Sequence, residues 1–255
     1  MSILDSIIDG VREDLLARRE PLSKLHEMIS ENSAAITPNF PIGQMSVIAE
    51  VKRSSPSKGE LAEITDPADL AWKYQSAGAS AISVLTEQRR FKGSILDLVK
   101  VREAVQIPIL RKDFMIDEYQ FYEARAYGAD MVLLIVAALS KSQLRDYFAL
   151  ANELGMAALI EIHTHDELED AMDVDPKIVG VNARNLKTLE VDPKIFDELI
   201  PRIPSELVRV AESGIANRSQ VLAAEAAGAN VILVGEALVK AQDPISGMAE
   251  LLGIR

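Results

Sequence analysis

Ionisable side chains stand where several apolar segments of the chain end. Glu50 and Lys52 close the first segment, Lys112 follows the segment IPILR, Glu161 lies at the end of LGMAALIEI, and Glu212 follows VRVA. Ammonium and carboxylate groups donate and accept protons in general acid–base catalysis, but they also form ion pairs that only satisfy one another. The spacing of these residues therefore predicts either a reaction site or a set of structural ion pairs.

The elements that must position these groups are predicted to be β-strands. Side chains alternate between the two faces of a strand, so each ionisable group shares a face with an apolar residue two positions before it. The pairs are Glu50 with Ile48, Lys112 with Leu110, Glu161 with Leu159, and Glu212 with Val210. Charges at the ends of four strands would be costly to hold in a partly dehydrated mouth without a function, which favours a reaction site.

Four segments repeat one pattern: AGASAISVL, YGADMVLLIV, LGMAALIEI and AGANVILVG. Each predicts a helix end, a glycine and a strand buried on both faces. Eight strands are predicted, at 47–51, 81–85, 107–111, 131–136, 157–162, 178–182, 207–211 and 231–234, with helices between them. This alternation predicts an α/β fold, a (β/α)8 TIM barrel. The alternative, an open nucleotide-binding sheet, is disfavoured because KRSSPSKG lacks the G-x-G-x-x-G pattern.

The whole chain, 1–255, is predicted to be a single barrel domain, of which residues 1–46 form an N-terminal helical extension. Apolar residues recur at helical spacing from Ile3 to Leu16, and a second short helix is predicted after Pro21. We expect the extension to buttress one end of the barrel.

Composition limits the classes of function. The 27 basic and 39 acidic residues give a net charge of −12, which disfavours binding to nucleic acid or to an anionic membrane. The chain has no cysteine, so neither a disulfide nor a thiol nucleophile is available. The N-terminus lacks the basic start of a signal peptide, and the apolar runs are short, so we expect a cytoplasmic protein.

An anion site is predicted in the turns AESGIAN and LVGEAL, after the last two strands. Ser213 and Gly214 lie in the first turn, and Gly235 and Glu236 lie in the second. Backbone N–H groups at such turns bind phosphate in many barrels. A metal site is not expected: Glu161, His163 and His165 alternate, but no further ligand pair is evident at another strand end.

Several motifs together resemble the indole-3-glycerol phosphate synthase family. They are EVKRSSPSKG, SVLTE with FKGS, LRKDF, ADMVLLIV, EIHT, GVNARNLKT, ESGI and ILVGEAL, and they run in the family's order over nearly the whole chain. One departure is Ala183, where a polar residue is expected. The resemblance implies ring closure of 1-(2-carboxyphenylamino)-1-deoxyribulose 5-phosphate, with loss of carbon dioxide and water, in tryptophan biosynthesis, without a metal or organic cofactor.

The resemblance also implies roles for individual residues. Lys112 would be the acid, Lys52 would bind the substrate carboxylate, and Glu161 would be the base, although the acid role cannot be divided between the lysines from sequence. Glu50, Asn182 and Glu212 would orient these groups. The phosphate would bind Ser213, Gly214, Gly235 and Glu236, and the remaining substrate contacts would be Ser55, Pro56, Phe91, Phe114, Leu133, Arg184, Leu186 and Leu233.

Two other functions remain open at this point. A lysine at a strand end could form a Schiff base with a keto sugar phosphate, as an aldolase does. The barrel could also serve as a phosphosugar-binding scaffold without catalysis.

Loops 53–60 and 86–94 are expected to close over the substrate. The expected partner is a phosphorylated small molecule, and the chain is predicted to be a monomer that can associate with other enzymes of the tryptophan pathway.

Overall fold

The structure, a computed structural model, describes residues 2–254. Helices and strands alternate after an N-terminal pair of helices. The strands are β1 (Ser46–Val51), β2 (Ser54–Ser55), β3 (Gly59–Glu60), β4 (Ala81–Leu85), β5 (Ile109–Lys112), β6 (Met131–Ile135), β7 (Ala157–Ile162), β8 (Ile178–Asn182), β9 (Val208–Glu212) and β10 (Val231–Val234). The α-helices are α1 (Ile3–Arg18), α2 (Leu22–Glu31), α3 (Pro67–Ser76), α4 (Ile95–Ala104), α5 (Tyr119–Ala126), α6 (Lys141–Glu153), α7 (His165–Met172), α8 (Ile195–Leu199), α9 (Arg218–Ala227), α10 (Glu236–Val239) and α11 (Pro244–Leu252).

Eight of the strands form a closed parallel barrel in the order β1-β10-β9-β8-β7-β6-β5-β4. The predicted (β/α)8 barrel is therefore confirmed. β5 begins two residues later than predicted, because Pro108 has no N–H to donate to the ladder, and it extends to Lys112, which pairs with Leu85. The two-residue strands β2 and β3 form a small antiparallel hairpin above the barrel that the sequence did not indicate.

Two apolar layers lie on opposite sides of the barrel wall. Ile48, Leu110, Leu159 and Val210 belong to the interior layer, whereas alternate residues such as Ala49 pack outward against the helices. The predicted alternation is therefore confirmed, and it places the strand-end charges above an apolar floor.

The N-terminal extension packs against one side of the barrel and its mouth. Leu4, Ile7, Val11 and Leu15 of α1 belong to the same apolar cluster as the barrel interior. Arg89, in the loop after β4, contacts Asp14 and Glu13 of α1. The extension thus buttresses the end of the barrel at which the strands terminate.

Helix α2 packs against α5, and hydrogen bonds anchor the chain that follows it. The side-chain amide of Asn32 donates hydrogen bonds to the carbonyl oxygens of Arg125 and Ala126, at 3.1 and 2.9 Å.

Among the helices of residues 2–254, none combines the length and the apolar character that crossing a membrane would require.

Candidate active site

A cavity of about 580 Å³ opens at the carboxyl ends of the barrel strands. It brings together sixteen of the residues that the sequence suggested. They are Glu50, Lys52, Phe91, Lys112, Phe114, Leu133, Glu161, Asn182, Arg184, Leu186, Glu212, Ser213, Gly214, Leu233, Gly235 and Glu236. Groups that are far apart in the sequence therefore share one site, as parallel strands closing into a barrel require.

Lys112, at the end of β5, lies at the centre of the charged cluster. Its Nζ is 2.9 Å from Glu161 Oε2 and 2.8 Å from Glu212 Oε2. Burial disfavours the ammonium charge, but Glu161, Glu212 and Glu50 more than offset this and raise the pKa of Lys112 above its usual value. The side chain is therefore a cation at neutral pH.

The two carboxylates that bind Lys112 differ in their proton affinity. Burial raises the pKa of both, but Lys112 and His163 act on Glu161 and hold its pKa below the usual range. Glu212 lacks this second cation, and burial together with the nearby Glu161 raises its pKa to about 7. One carboxylate of the pair is thus ionised at neutral pH, while the other titrates there.

Two glycines leave room for buried carboxylates. A Cβ at Gly180 of β8 would lie 2.1 Å from Glu212 Oε1, and a Cβ at Gly235 would lie 2.5 Å from Glu50 Oε1. Glu50, which is buried, forms an ion pair with Lys52. A side chain at either glycine would therefore displace one of the buried carboxylates.

Asn182, at the end of β8, fixes the start of the next loop. Its Oδ1 accepts a hydrogen bond of 2.9 Å from the backbone N–H of Arg184. The Arg184 guanidinium donates to Ser57 Oγ at 2.9 Å and to the carbonyl oxygen of Leu189 at 3.0 Å. Burial lowers the pKa of Arg184, although a guanidinium remains charged at neutral pH.

The turns after β9 and β10 also line the cavity, and they present backbone N–H groups. Ser213 and Gly214 have left-handed φ angles of 65° and 75°, which turn the chain after β9. In the turn after β10, the first hydrogen bonds of α10 are donated by Leu238 and Val239 to the carbonyl of Gly235. The N–H groups of Glu236 and Ala237 therefore precede the helical ladder and can bind a ligand.

Lysines surround the same turn. The Glu236 carboxylate accepts hydrogen bonds from Lys58 at 2.7 Å and Lys240 at 2.8 Å. Burial opposes ionisation of Glu236, but these two lysines lower its pKa. Its side chain thus holds the lysines in place, which leaves the backbone N–H groups to bind an anion.

An apolar wall faces the charged cluster. The rings of Phe91 and Phe114 lie with centroids 6.3 Å apart, and Leu133, Leu186 and Leu233 continue the surface. Such a wall can hold an aromatic ring next to the ammonium of Lys112.

Ser55 and Pro56 do not line the cavity. Ser55 is buried in the hairpin of β2 and β3, where its carbonyl accepts a hydrogen bond of 3.3 Å from the N–H of Lys58. The hairpin brings Lys58 to the cavity instead. The motif KRSSPSKG contains this lysine as well as the predicted Lys52, but only the hairpin shows that Lys58 reaches the cavity and that Ser55 and Pro56 do not.

Sequence reasoning also missed Lys240, Val191 and Ile215, all of which line the cavity. Lys240 lies four residues after Glu236, directly after the short helix α10, and Val191 belongs to an irregular loop after β8. Neither has a periodic sequence signal, because the path of the chain beyond the strand ends decides their location.

Fold and site together define a (β/α)8 barrel whose mouth carries groups that can act as general acids and bases. A sequence profile described as indole-3-glycerol phosphate synthase matches residues 4–251. The chain belongs to the indole-3-glycerol phosphate synthase family, which confirms the resemblance seen in its motifs.

Individual relatives agree with this assignment. The indole-3-glycerol phosphate synthase of Rhodococcus jostii (strain RHA1) is 51% identical over 258 residues, which cover 99% of this chain and 95% of that protein. The protein of the same name from Mycolicibacterium smegmatis is 51% identical over 259 residues, covering 98% and 94%. A solved 3-hexulose-6-phosphate synthase has a similar fold, with a TM-score of 0.64 at 16% identity over 83% of this chain and 100% of that one.

Proposed function

We propose that this chain converts 1-(2-carboxyphenylamino)-1-deoxyribulose 5-phosphate into indole-3-glycerol phosphate, with release of carbon dioxide and water. One observation carries the proposal: the Lys112 ammonium is held between two buried carboxylates in a cavity that is also lined by an apolar wall and by the turns after β9 and β10. A substrate with an aromatic ring, a ketone and a phosphate ester matches these three regions.

The two ends of the substrate are held by different parts of the cavity. The phosphate binds the turns at Ser213–Gly214 and Gly235–Glu236, where backbone N–H groups neutralise its charge. Lys58 and Lys240 add positive charge nearby. The aromatic ring packs against Phe91 and Phe114 on the apolar wall. The chain of carbon atoms between the two ends then passes above Lys112.

Ring closure requires an aryl carbon to attack the ketone. Lys112 polarises the ketone oxygen, and it donates a proton as that oxygen becomes an alkoxide. Glu161 and Glu212 keep the side chain charged before the reaction and hold Nζ in one position. This arrangement pre-organises the positive charge at the atom where negative charge develops.

Loss of carbon dioxide and of water completes the reaction. Lys52 binds the carboxylate of the substrate until the C–C bond to carbon dioxide breaks and its electron pair restores the aromatic ring. In the dehydration, Glu161 takes a proton from the intermediate, and one of the two ammonium groups protonates the departing hydroxyl. Glu50 and Asn182 orient Lys52 and the loop that carries Arg184.

Loops 53–60 and 86–94 are proposed to cover the bound substrate. Lys92 Nζ is 3.1 Å from Glu60 Oε1 and joins the two loops across the mouth. Arg89 connects the second loop to α1. Limited proteolysis tests this role, because a bound product analogue should slow cleavage of both loops, and equal cleavage rates with and without it would contradict closure.

The chain is proposed to act as one domain over 1–255, as a monomer in the cytoplasm. The proposed reaction needs a phosphorylated small molecule but neither nucleic acid nor a membrane, and its product is suited to transfer to another enzyme of the tryptophan pathway.

A fluorescence assay tests the proposed function. The purified protein, with chelator present, is mixed with the carboxyphenylamino deoxyribulose phosphate, and the fluorescence of the indole ring is followed. We expect indole-3-glycerol phosphate to form together with carbon dioxide. A protein that forms no indole-3-glycerol phosphate but gives a borohydride-trapped adduct on Lys112 or Lys52 would instead be a Schiff-base aldolase. Binding without either outcome would indicate a scaffold.

A further inference from the structure

His163 lies directly behind Glu161 and has no part in the proposed chemistry. It follows the last residue of β7, and its side chain is largely buried. Its Nε2 is 3.4 Å from Glu161 Oε1, and its Nδ1 is 3.1 Å from Glu167 Oε2. His163 does not line the active-site cavity but faces a separate groove between α7 and α8, so it can act on the substrate only through Glu161.

The two carboxylates that bind Lys112 are otherwise closely matched. Each is almost fully buried, and each places its Oε2 within 3 Å of Lys112 Nζ. Their Oε1 atoms differ: that of Glu161 forms an ion pair with His163 Nε2 across 3.4 Å, without a hydrogen bond, whereas that of Glu212 is buried and makes no hydrogen bond within residues 2–254. The imidazole of His163 is therefore the feature that distinguishes Glu161 from Glu212.

We infer that His163 is a positioning residue which, as an imidazolium, keeps Glu161 ionised and leaves Glu212 as the carboxylate that takes up the shared proton. This inference rests on the proposed function, in which Glu161 must be ionised to act as the base. Without the cation behind it, the proton bound by the pair near neutral pH would also occupy Glu161.

The charges around His163 support this assignment. Burial opposes its ionisation, but Glu161 and Glu167 raise the pKa of His163 to about 9. The backbone N–H of His163 also donates to Glu167 Oε2 at 2.7 Å, so this carboxylate contacts both the backbone and the ring of His163. Other ionisable residues of the groove are His165, Asp197, Glu198 and Arg202. The cation is thus present below pH 9 and lost above it.

The test is the pH dependence of turnover in the variant His163→Gln. Glutamine keeps a hydrogen-bond donor near Glu161 but cannot carry the charge. We expect kcat at pH 6 to 8 to fall about tenfold to a hundredfold, because an opposite charge at this separation changes the proton affinity of a carboxylate by at least about tenfold. KM should change little, because His163 does not touch the cavity. The ratio of wild-type to variant kcat should approach one above pH 9.5, where the wild-type imidazole is neutral.

His165→Gln is the matched control, because His165 lines the same groove but forms no contact with Glu161. Its turnover should follow that of the wild type at every pH. Glu167→Gln is a second variant, and it should show the same pH-dependent loss in smaller measure because it weakens the cation. If His163→Gln does not fold, this variant decides the question.

A wild-type to variant ratio that stays constant from pH 6 to 10, or that equals one throughout, would overturn the inference. The proposed function has a separate criterion: the wild-type enzyme must form indole-3-glycerol phosphate. A wild type that forms this product, together with His163→Gln showing a flat ratio, refutes only the role of His163.

Discussion

Gly180→Ala should damage catalysis while leaving most of the stability intact. The new Cβ would lie 2.1 Å from Glu212 Oε1 and 3.1 Å from Leu159 Cδ1. The carboxylate is the flexible end of its side chain, so it can move by about 1 Å to relieve the contact at modest energetic cost. That movement, however, separates Glu212 from Lys112 Nζ, which lies only 2.8 Å from Oε2.

The expected magnitude follows from this displacement. A displacement of about 1 Å of a catalytic group can lower kcat about a hundredfold. This corresponds to an increase of about 2.7 kcal/mol in the activation free energy of the proposed reaction. Overpacking should cost roughly 1–2 kcal/mol of the free energy of unfolding. Steady-state formation of indole fluorescence measures the first effect, and urea denaturation measures the second.

Gly155→Ala is the control for lost stability. Gly155 has a φ of 75° and nothing within 4 Å of an added Cβ, so alanine there costs about 1 kcal/mol through backbone strain alone. It should keep the wild-type kcat. Gly180→Ala with unchanged kcat, or with a kcat loss no larger than that of Gly155→Ala, would refute the claim that the position of Glu212 governs Lys112.

Three further predictions follow from buried charges. Arg111→Leu should lower the free energy of unfolding by about 3–5 kcal/mol in urea, because it leaves Asp113 buried without its cation and leaves Glu123 with Arg18 alone; a loss under 1 kcal/mol would contradict this. Since the folded-state pKa of His163 is about 9, above the ordinary 6.5, its stabilisation is complete below pH 6.5 and disappears as pH rises through 9. The stability advantage of wild type over His163→Gln should therefore shrink by up to about 3 kcal/mol between pH 6 and 10, and a constant difference would oppose it. Gly235→Ala should displace Glu50 and lower kcat by at least tenfold, again with indole fluorescence as the readout, and wild-type turnover would argue against a role for Glu50.

The barrel itself could be predicted from the sequence because its signals are local and repeated. A glycine at a helix end followed by a β-branched run marks a parallel strand each time it occurs. Alternation along β5 also separates neighbours that look alike in sequence. Lys112 faces the cavity, whereas Arg111 points outward, is fully buried and pairs with Glu123 of α5 at 2.7 Å.

The parts of the site that escaped prediction depend on irregular chain paths. Ser55 and Pro56 belong to a family motif, yet the hairpin of β2 and β3 presents Lys58 to the cavity in their place. Lys240 reaches the site only because a four-residue helix follows β10. Two-residue strands and single helical turns have no hydrophobic period, so sequence patterns do not locate them.

His163 shows a third limit of sequence reasoning. Its alternation with Glu161 in the sequence suggests a metal ligand, an interpretation that the lack of a further ligand pair disfavours. The structure instead places the imidazole between Glu161 and Glu167, where each ring nitrogen faces a carboxylate oxygen. Whether His163 is a metal ligand or the counter-ion of a carboxylate depends on its distances to Glu161 and Glu167, and residue spacing in the sequence does not give these distances.

The role of Lys112 as the acid is tested most directly by a single-turnover measurement on Lys112→Ala. Enzyme in excess is mixed with the carboxyphenylamino deoxyribulose phosphate, and indole fluorescence is followed while binding of a product analogue is measured separately. The account predicts that the variant binds the analogue but forms indole-3-glycerol phosphate at least a hundredfold more slowly than the wild type. Formation of this product by Lys112→Ala at the wild-type rate would contradict it.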